Sequence, residues 1–334
     1  MSTEPYPRRV FLKEAATAGV VLLGLRTALN ATAQTNLETL HILCTGPGGS
    51  IPDTVARRIA EQLTGRLARH VVVENRPGAA GQIAINALKS APADGSTVLL
   101  AQGAIATVYP SLYAKLAYDP VIDLQPVSLA SEMTLGLAVG PAVPASVVTV
   151  SDFVTWIRQN PKLANIGSPG TGTLPHLLEV MLFQKADVPW QHVVYSGGPP
   201  ALIDLLGGQI AALVLPEGLL RQYRASGKLR VLATSGTKRS AYLPEVASFV
   251  EQGYADLVVR EWFAFFMPGK TPAAITVATS QALQLAIAKP ELAAAFAESG
   301  MVPAWSTPSV MAVRIATERQ FWEPLIRATG VRAE

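Results

Sequence analysis

Short apolar runs that alternate with helix-spaced segments constrain this chain more than any other feature. LHILCT (40–45), HVVVE (70–74) and TVLLA (97–101) are continuous, leucine-rich or β-branched, and bounded by turns. Such runs suit strands covered on both faces, as in parallel sheets. Between the first two, Val55, Ile59, Leu63 and Leu67 mark one apolar helix face. Ser50 and Asp53 precede that face as S-x-x-D, the spacing of a capping box. The turn RPGAAG (76–81) enters a second helix over 79–89. The order β-α-β-α-β predicts a doubly wound α/β unit.

The alternation then restarts. LANIG (163–167), HVVY (192–195), IAALVL (210–215) and LRVLA (229–233) read as strands. One helix runs through Leu177, Met181 and Leu182, and another over 218–225. GPAVPAS (140–146) and MPGKTP (267–272) punctuate the regions between the two units. Beside them, TLGLAVG (134–140) and EWFAFFM (261–267) read as two strands crossing between lobes. Helices over 272–288, 290–299 and 307–328 return to the first lobe. The expected organisation is lobe 1 over 34–138 and 262–334, and lobe 2 over 139–261.

Residues 1–33 carry a different signal. PRRVFLK (7–13), a mildly apolar stretch over 15–25, and ATA (31–33) form charged, apolar and small-x-small regions in order. That is an export signal of the twin-arginine type, with cleavage expected after Ala33 and a periplasmic mature protein. This segment holds +2 of the +3 net charge. A near-neutral body lacks the dense basic footprint that nucleic acid requires. The 334 residues suffice for two domains, and a 49% hydrophobic, 15% charged composition can bury large cores. Cys44 is the single cysteine, so no intramolecular disulfide forms, and its strand context reads as a core thiol.

Two α/β lobes with a double crossover define a cleft, and ligands of open α/β sheets bind beyond the carboxyl ends of the strands. The loops there are PGGSIPD (47–53), NRPGAAG (75–81), QGAIAT (102–107), SPGTGT (168–173), YSGGPP (195–200) and PEG (216–218). Several lead straight into helices, so spare backbone N–H groups and positive helix ends make an anion trap from neutral groups. No catalytic constellation accompanies it. His41, His70 and His192 border strands without metal-ligand spacing, and His176 opens a helix as a cap or cleft residue. PGGSIPD lacks the GK[ST] ending of a phosphate loop, and no dinucleotide fingerprint is present. No cofactor and no metal are expected.

VVVENRPGAAG (71–81), SAPADGSTVLLA (90–101), LYAKLAYDPVIDLQPVSLA (112–130), YSGGPPALIDLLGGQI (195–210), SGKLRVLATSGTKRSAYLPEV (226–246) and WEPLIRATGV (322–331) stand in order along the chain. In this set the chain resembles the Bug/TctC family, the extracytoplasmic solute receptors of tripartite tricarboxylate transporters. The resemblance implies a two-lobed type II periplasmic-binding-protein fold. It also implies a small carboxylate ligand held by loop backbone, hydroxyls and water, and membrane transporter subunits as partners. Carried over by position, the site residues are Pro47, Gly48, Gly49, Ser50 and Asp53; Gly103 and Ala104; Gly167, Ser168, Gly170 and Thr171; and Ser196, Gly197 and Gly198. Two departures stand out: Ser196 where the family often has lysine, and Pro216-Glu217 where it often has a polar pair. With Glu217 placed at the cleft, both would lower its positive potential and favour a monocarboxylate, an aromatic acid or a zwitterion over a tricarboxylate. The reading is a non-enzymatic, monomeric periplasmic receptor; the alternatives are a carboxylate sensor feeding a signalling kinase, and a periplasmic enzyme.

Overall fold

The apolar runs are strands. In chain order these are β1 (Leu37–Cys44), β2 (Ala68–Asn75), β3 (Thr97–Gln102), β4 (Leu124–Val139), β5 (Asn165–Ser168), β6 (Gln191–Val194), β7 (Ala212–Pro216), β8 (Arg230–Thr234), β9 (Arg260–Pro268) and β10 (Val302–Pro303). The helices are α1 (Ile51–Leu63), α2 (Gln82–Lys89), α3 (Ala104–Thr107), α4 (Tyr109–Leu112), α5 (Val150–Gln159), α6 (Leu174–Ala186), α7 (Gly198–Leu206), α8 (Glu217–Arg224), α9 (Ala273–Ile287), α10 (Pro290–Glu298) and α11 (Pro308–Thr329). The computed structural model describes residues 37–224 and 226–333, so the export signal read at 1–33 lies outside the described residues.

Two parallel sets flank an antiparallel middle. The strand order is β2-β1-β3-β9-β4-β7-β5-β6. β1 pairs in parallel with β2 and β3, and β5 pairs in parallel with β6 and β7. β9 runs antiparallel between β3 and β4. β4 serves both sets. Its first part, Leu124 to Thr134, lies along β9, and Leu135 to Val139 lies between β7 and β8. The two apolar runs read as crossings are thus the C-terminal part of β4 and nearly all of β9.

Local chemistry explains the helices. α1 opens with Pro52 in its first turn, where a missing N–H costs nothing, and buries Val55, Ala56, Ile59 and Leu63. Ser50 does not cap it by side chain: the Ser50 hydroxyl donates to the Pro47 carbonyl (2.6 Å), and Asp53 accepts from the Gly49 N–H (2.9 Å). The S-x-x-D spacing therefore builds a loop rather than a capping box. A true capping box stands at Thr149 and Asp152, where each side chain accepts from the other's backbone N–H. It starts α5, whose Phe153, Trp156 and Ile157 are buried. α7 begins at Gly198, carries Pro199 and Pro200 in its first turn, buries Ala201, Leu202 and Leu205, and stops at Gly207.

α8 sits tightly on the end of α10. A Cβ on Gly218 would lie 1.9 Å from the Ser299 carbonyl oxygen, so only glycine fits. The Arg221 guanidinium donates to the carbonyls of Ala297 (2.8 Å) and Glu298 (3.0 Å), where the helix dipole is negative. No helix among the described residues is long and apolar enough to cross a membrane.

Candidate functional site

The carboxyl ends of β1, β5 and β6 open onto one cavity of about 560 Å³. Pro47, Gly48, Gly49 and Ser50 line it from the loop after β1, with Ile51 and Pro52 of α1. Ser196 and Gly197 line it from the loop after β6, with Gly198 and Pro199 of α7, and Pro169 and Thr173 from the loop after β5, with Pro175 of α6. Leu215, Pro216, Leu219, Glu261 and Phe263 complete the lining. Three helices of nine residues or more, α1, α6 and α7, begin at this rim. Only α6 has a side-chain cap, from Thr173; no side chain caps α1 or α7. The first N–H groups of a helix have no partner within it; Pro52, Pro199 and Pro200 carry none, so two small sets remain for a ligand, Ile51 at α1 and Gly197 with Gly198 at α7. Gly197 sets the second. Its φ of 116° and ψ of 176° belong to a region that side chains exclude, and they turn the chain sharply into α7.

Asp53 is 4% exposed and faces its own loop rather than the cavity. It accepts from the Gly49 N–H, from Arg57 Nε (3.0 Å) and from Asn75 Nδ2 (2.8 Å). Asn75 Nδ2 also donates to the Gly46 carbonyl (2.9 Å). Burial pulls the Asp53 carboxyl upward, but the hydrogen bonds from Gly49, Arg57 and Asn75 outweigh it and hold the group below its usual range. The asparagine of ENRPGA thus clamps the first loop.

Gly103 and Ala104 are buried and do not line the cavity. The Gly103 N–H donates to the Trp262 carbonyl (2.8 Å), and a Cβ there would sit 2.1 Å from the indole ring. Gly167 supports the second loop from below, against Ile210 and Tyr195. Ser168 is wholly buried; its hydroxyl bonds to His192 Nε2 (2.7 Å) and the Gly170 carbonyl (3.2 Å). His192 stacks on His176 with ring centroids 3.7 Å apart. His176 Nδ1 accepts the Gly172 N–H (3.0 Å), so the ring carries its proton on Nε2. Burial pushes both rings down, His176 to about 3 and His192 to about 4, with His192 adding to the effect on His176. Two neutral imidazoles therefore brace the SPGTGT loop. Gly170 lies in that loop and Thr171 is exposed; neither lines the cavity.

Glu217 lies elsewhere. It is 2% exposed and lines a separate cavity of about 240 Å³ with Glu132, Lys238, Arg239, Ser240, Tyr242 and Arg260. Burial raises its carboxyl, against lowering by Thr134, Ser240 and the charges of Arg221 and Arg260. The departure that sequence adjacency placed at the cleft is at another cavity. The carboxyl that does line the cleft is Glu261. No Lys, Arg or His lines that cavity among the described residues, and Glu261 is its one acidic side chain. Glu261 sits on β9, opposite Met133 of β4, and shares a strand face with Phe263. Burial raises it to about 7.

Known proteins share this architecture. The model of the tripartite tricarboxylate transporter family receptor matches residues 55–331. The chain belongs to that family. The receptor is 32% identical to Protein BugT of Bordetella pertussis over 86% of this chain and 87% of BugT. It is similar to a solved periplasmic transporter structure at 27% identity and TM-score 0.77, over 88% of this chain and 98% of the other. An R. palustris protein solved with adipate matches at 25% identity and TM-score 0.79, over 87% and 97%. The receptor has the two-lobed type II periplasmic-binding-protein fold, with β4 and β9 as the crossover strands and the cavity between lobes. Solute binding is the role of its family.

Proposed function

We propose that this receptor captures a small carboxylate solute in the periplasm by closing its lobes, and delivers it to a tripartite tricarboxylate-type membrane transporter without chemical turnover. The observation that carries this reading is the rim of the 560 Å³ cavity, where the uncapped starts of α1 and α7 face a space free of basic side chains. Positive helix ends and oriented N–H groups bind a carboxylate without a lysine or arginine. The adipate complex of a relative supports the ligand class. Of the residues carried over from the family pattern, we assign ligand contact to Pro47, Gly48, Gly49, Ser50, Ser196, Gly197 and Gly198. Behind them, Asp53, Gly167 and Ser168 hold those loops in place, and Gly103 packs on Trp262 of β9. The lobe boundaries we adopt are 34–138 with 262–334, and 139–261. A hinge on β4 and β9 lets a ligand touching both lobes favour the closed form. Export through the twin-arginine signal and a monomeric state complete the proposal.

The test is calorimetric titration of the ligand-stripped protein with mono- and dicarboxylates and amino acids. At least one binds with a one-to-one stoichiometry, and at 100 times its dissociation constant it stabilises the fold by about 2.7 kcal/mol. Failure of every carboxylate-containing compound to bind would remove this reading.

A further inference from the structure

The cleft cavity is asymmetric. Its glycine loops leave backbone donors at Gly48 and at Ser196 to Gly198, the Gly49 N–H being held by Asp53, and its one ionisable side chain is Glu261 of β9. Most of the remaining lining is apolar, with Ile51, Pro169, Pro175, Leu215, Leu219 and Phe263. A single carboxylate fits the rim. A second carboxylate beside Glu261 would meet like charge with no basic group in the cavity to offset it, and like charges at short range repel. A wholly apolar end would leave the Glu261 carboxyl desolvated and unpaired beneath the ligand.

We propose that the solute is a zwitterion: its carboxylate lies on the glycine loops, its ammonium group pairs with Glu261, and an apolar body spans the walls between. This rests on the reading of the cavity as a carboxylate site, and it names the class of carboxylate. Glu261 is then the residue that selects amino acids over dicarboxylates. The surrounding charges leave it free for that task. Its neighbour Arg260 pairs with Glu132 of β4, and Glu132 also pairs with Arg314 of α11. Tyr109 of α4, which burial pushes up to about 12, stays neutral and hydrogen-bonded to Gln102 of β3. Asp53 of α1 is committed to Gly49, Arg57 and Asn75. Glu217 of α8 lies at the other cavity.

Three compounds of similar reach make the test: 6-aminohexanoate, hexanoate and adipate, with 5-aminopentanoate and pentanoate as a shorter pair. Titrations at pH 8 are expected to show each amino compound binding about tenfold or more tighter than its deaminated partner, and adipate weaker than 6-aminohexanoate. Glu261→Gln is expected to erase the preference, whereas Glu217→Gln leaves it intact. Lowering the pH from 8 to 5.5 protonates Glu261 and is expected to weaken the amino compounds selectively. If adipate binds more tightly than 6-aminohexanoate, and gains on acidification, Glu261 acts as a protonated donor to a second carboxylate and the zwitterion is overturned. The zwitterion is equally overturned if the preference survives Glu261→Gln or disappears in Glu217→Gln. Binding of hexanoate or adipate alone would overturn the zwitterion and leave the carboxylate receptor standing; no binding by any of the five would count against both.

Discussion

Gly197→Ala is expected to lower ligand affinity by about 10- to 100-fold while the fold survives. The added Cβ has room, since its nearest neighbour would be Pro199 Cδ at 3.9 Å. The cost is conformational. A residue with a side chain pays about 1–3 kcal/mol to hold φ near 116°. The loop relaxes instead, and its N–H groups turn away from the carboxylate. A control separates strain from binding. Gly253 also has a positive φ, 89°, and open space around it, but lies outside the cleft cavity. Gly253→Ala therefore lowers the melting temperature with ligand affinity unchanged. Equal affinity losses in both variants would show that general destabilisation, not the loop, is being measured.

The second large effect concerns stability. Glu179 of α6 is wholly buried, and neither carboxyl oxygen has a hydrogen-bond partner. Burial pushes its carboxyl well above the usual range, and the nearby Val214 backbone opposes this only in part. The folded protein keeps this proton while the unfolded chain releases it above about pH 4.5. Each pH unit above that value then removes up to about 1.4 kcal/mol of stability, until the folded-state carboxyl itself ionises. Glu179→Gln removes the titration. Its melting temperature relative to the parent is expected to climb steadily between pH 5 and pH 7 in scanning calorimetry; parallel curves would show that Glu179 is not a buried neutral acid. His176 and His192 shape the opposite limb. Their neutral forms are favoured by burial, so their contribution is complete above about pH 6.5 and is lost as pH falls below it.

The parallel strands are legible in the sequence because both faces are buried: LHILCT, TVLLA and IAALVL carry hardly any polar residue to blur the pattern. β4 is legible only in its last third. Its earlier part contains Pro126, Ser128, Ser131 and Glu132, which interrupt the apolar pattern. Those positions are tolerated because β9 and β10 satisfy the backbone, and Ser128 and Glu132 find partners in Ser306 and Arg314. The capping signals show how little local spacing alone decides. Thr149-x-x-Asp152 closes a reciprocal box at the start of α5, while the same spacing at Ser50 and Asp53 ties a glycine loop together.

At the cleft, the glycine loops are legible from strand-loop-helix order alone. The side chains facing the cavity are not. Glu217 follows Pro216, which lines the cleft, yet α8 begins at Glu217 and turns its carboxyl to the other cavity. Glu261 opens an apolar run and looks like its polar edge. Strand alternation puts it on the same face as Phe263, and sequence reasoning can reach that far. Which face of β9 meets the ligand depends on β4 and on the loops across the cleft, and no local pattern records that.

The most direct measurement is a crystal structure of the receptor with the tightest-binding compound of the titration series. The carboxylate is expected on the backbone N–H groups at Ser196 to Gly198 and on the Pro47 to Ser50 loop, with Glu261 at the far end. A ligand seated in the cavity of Glu132, Glu217 and Tyr242, or one whose carboxylate makes no contact with either glycine loop, would contradict the assignment of the glycine-rimmed cleft as the binding site.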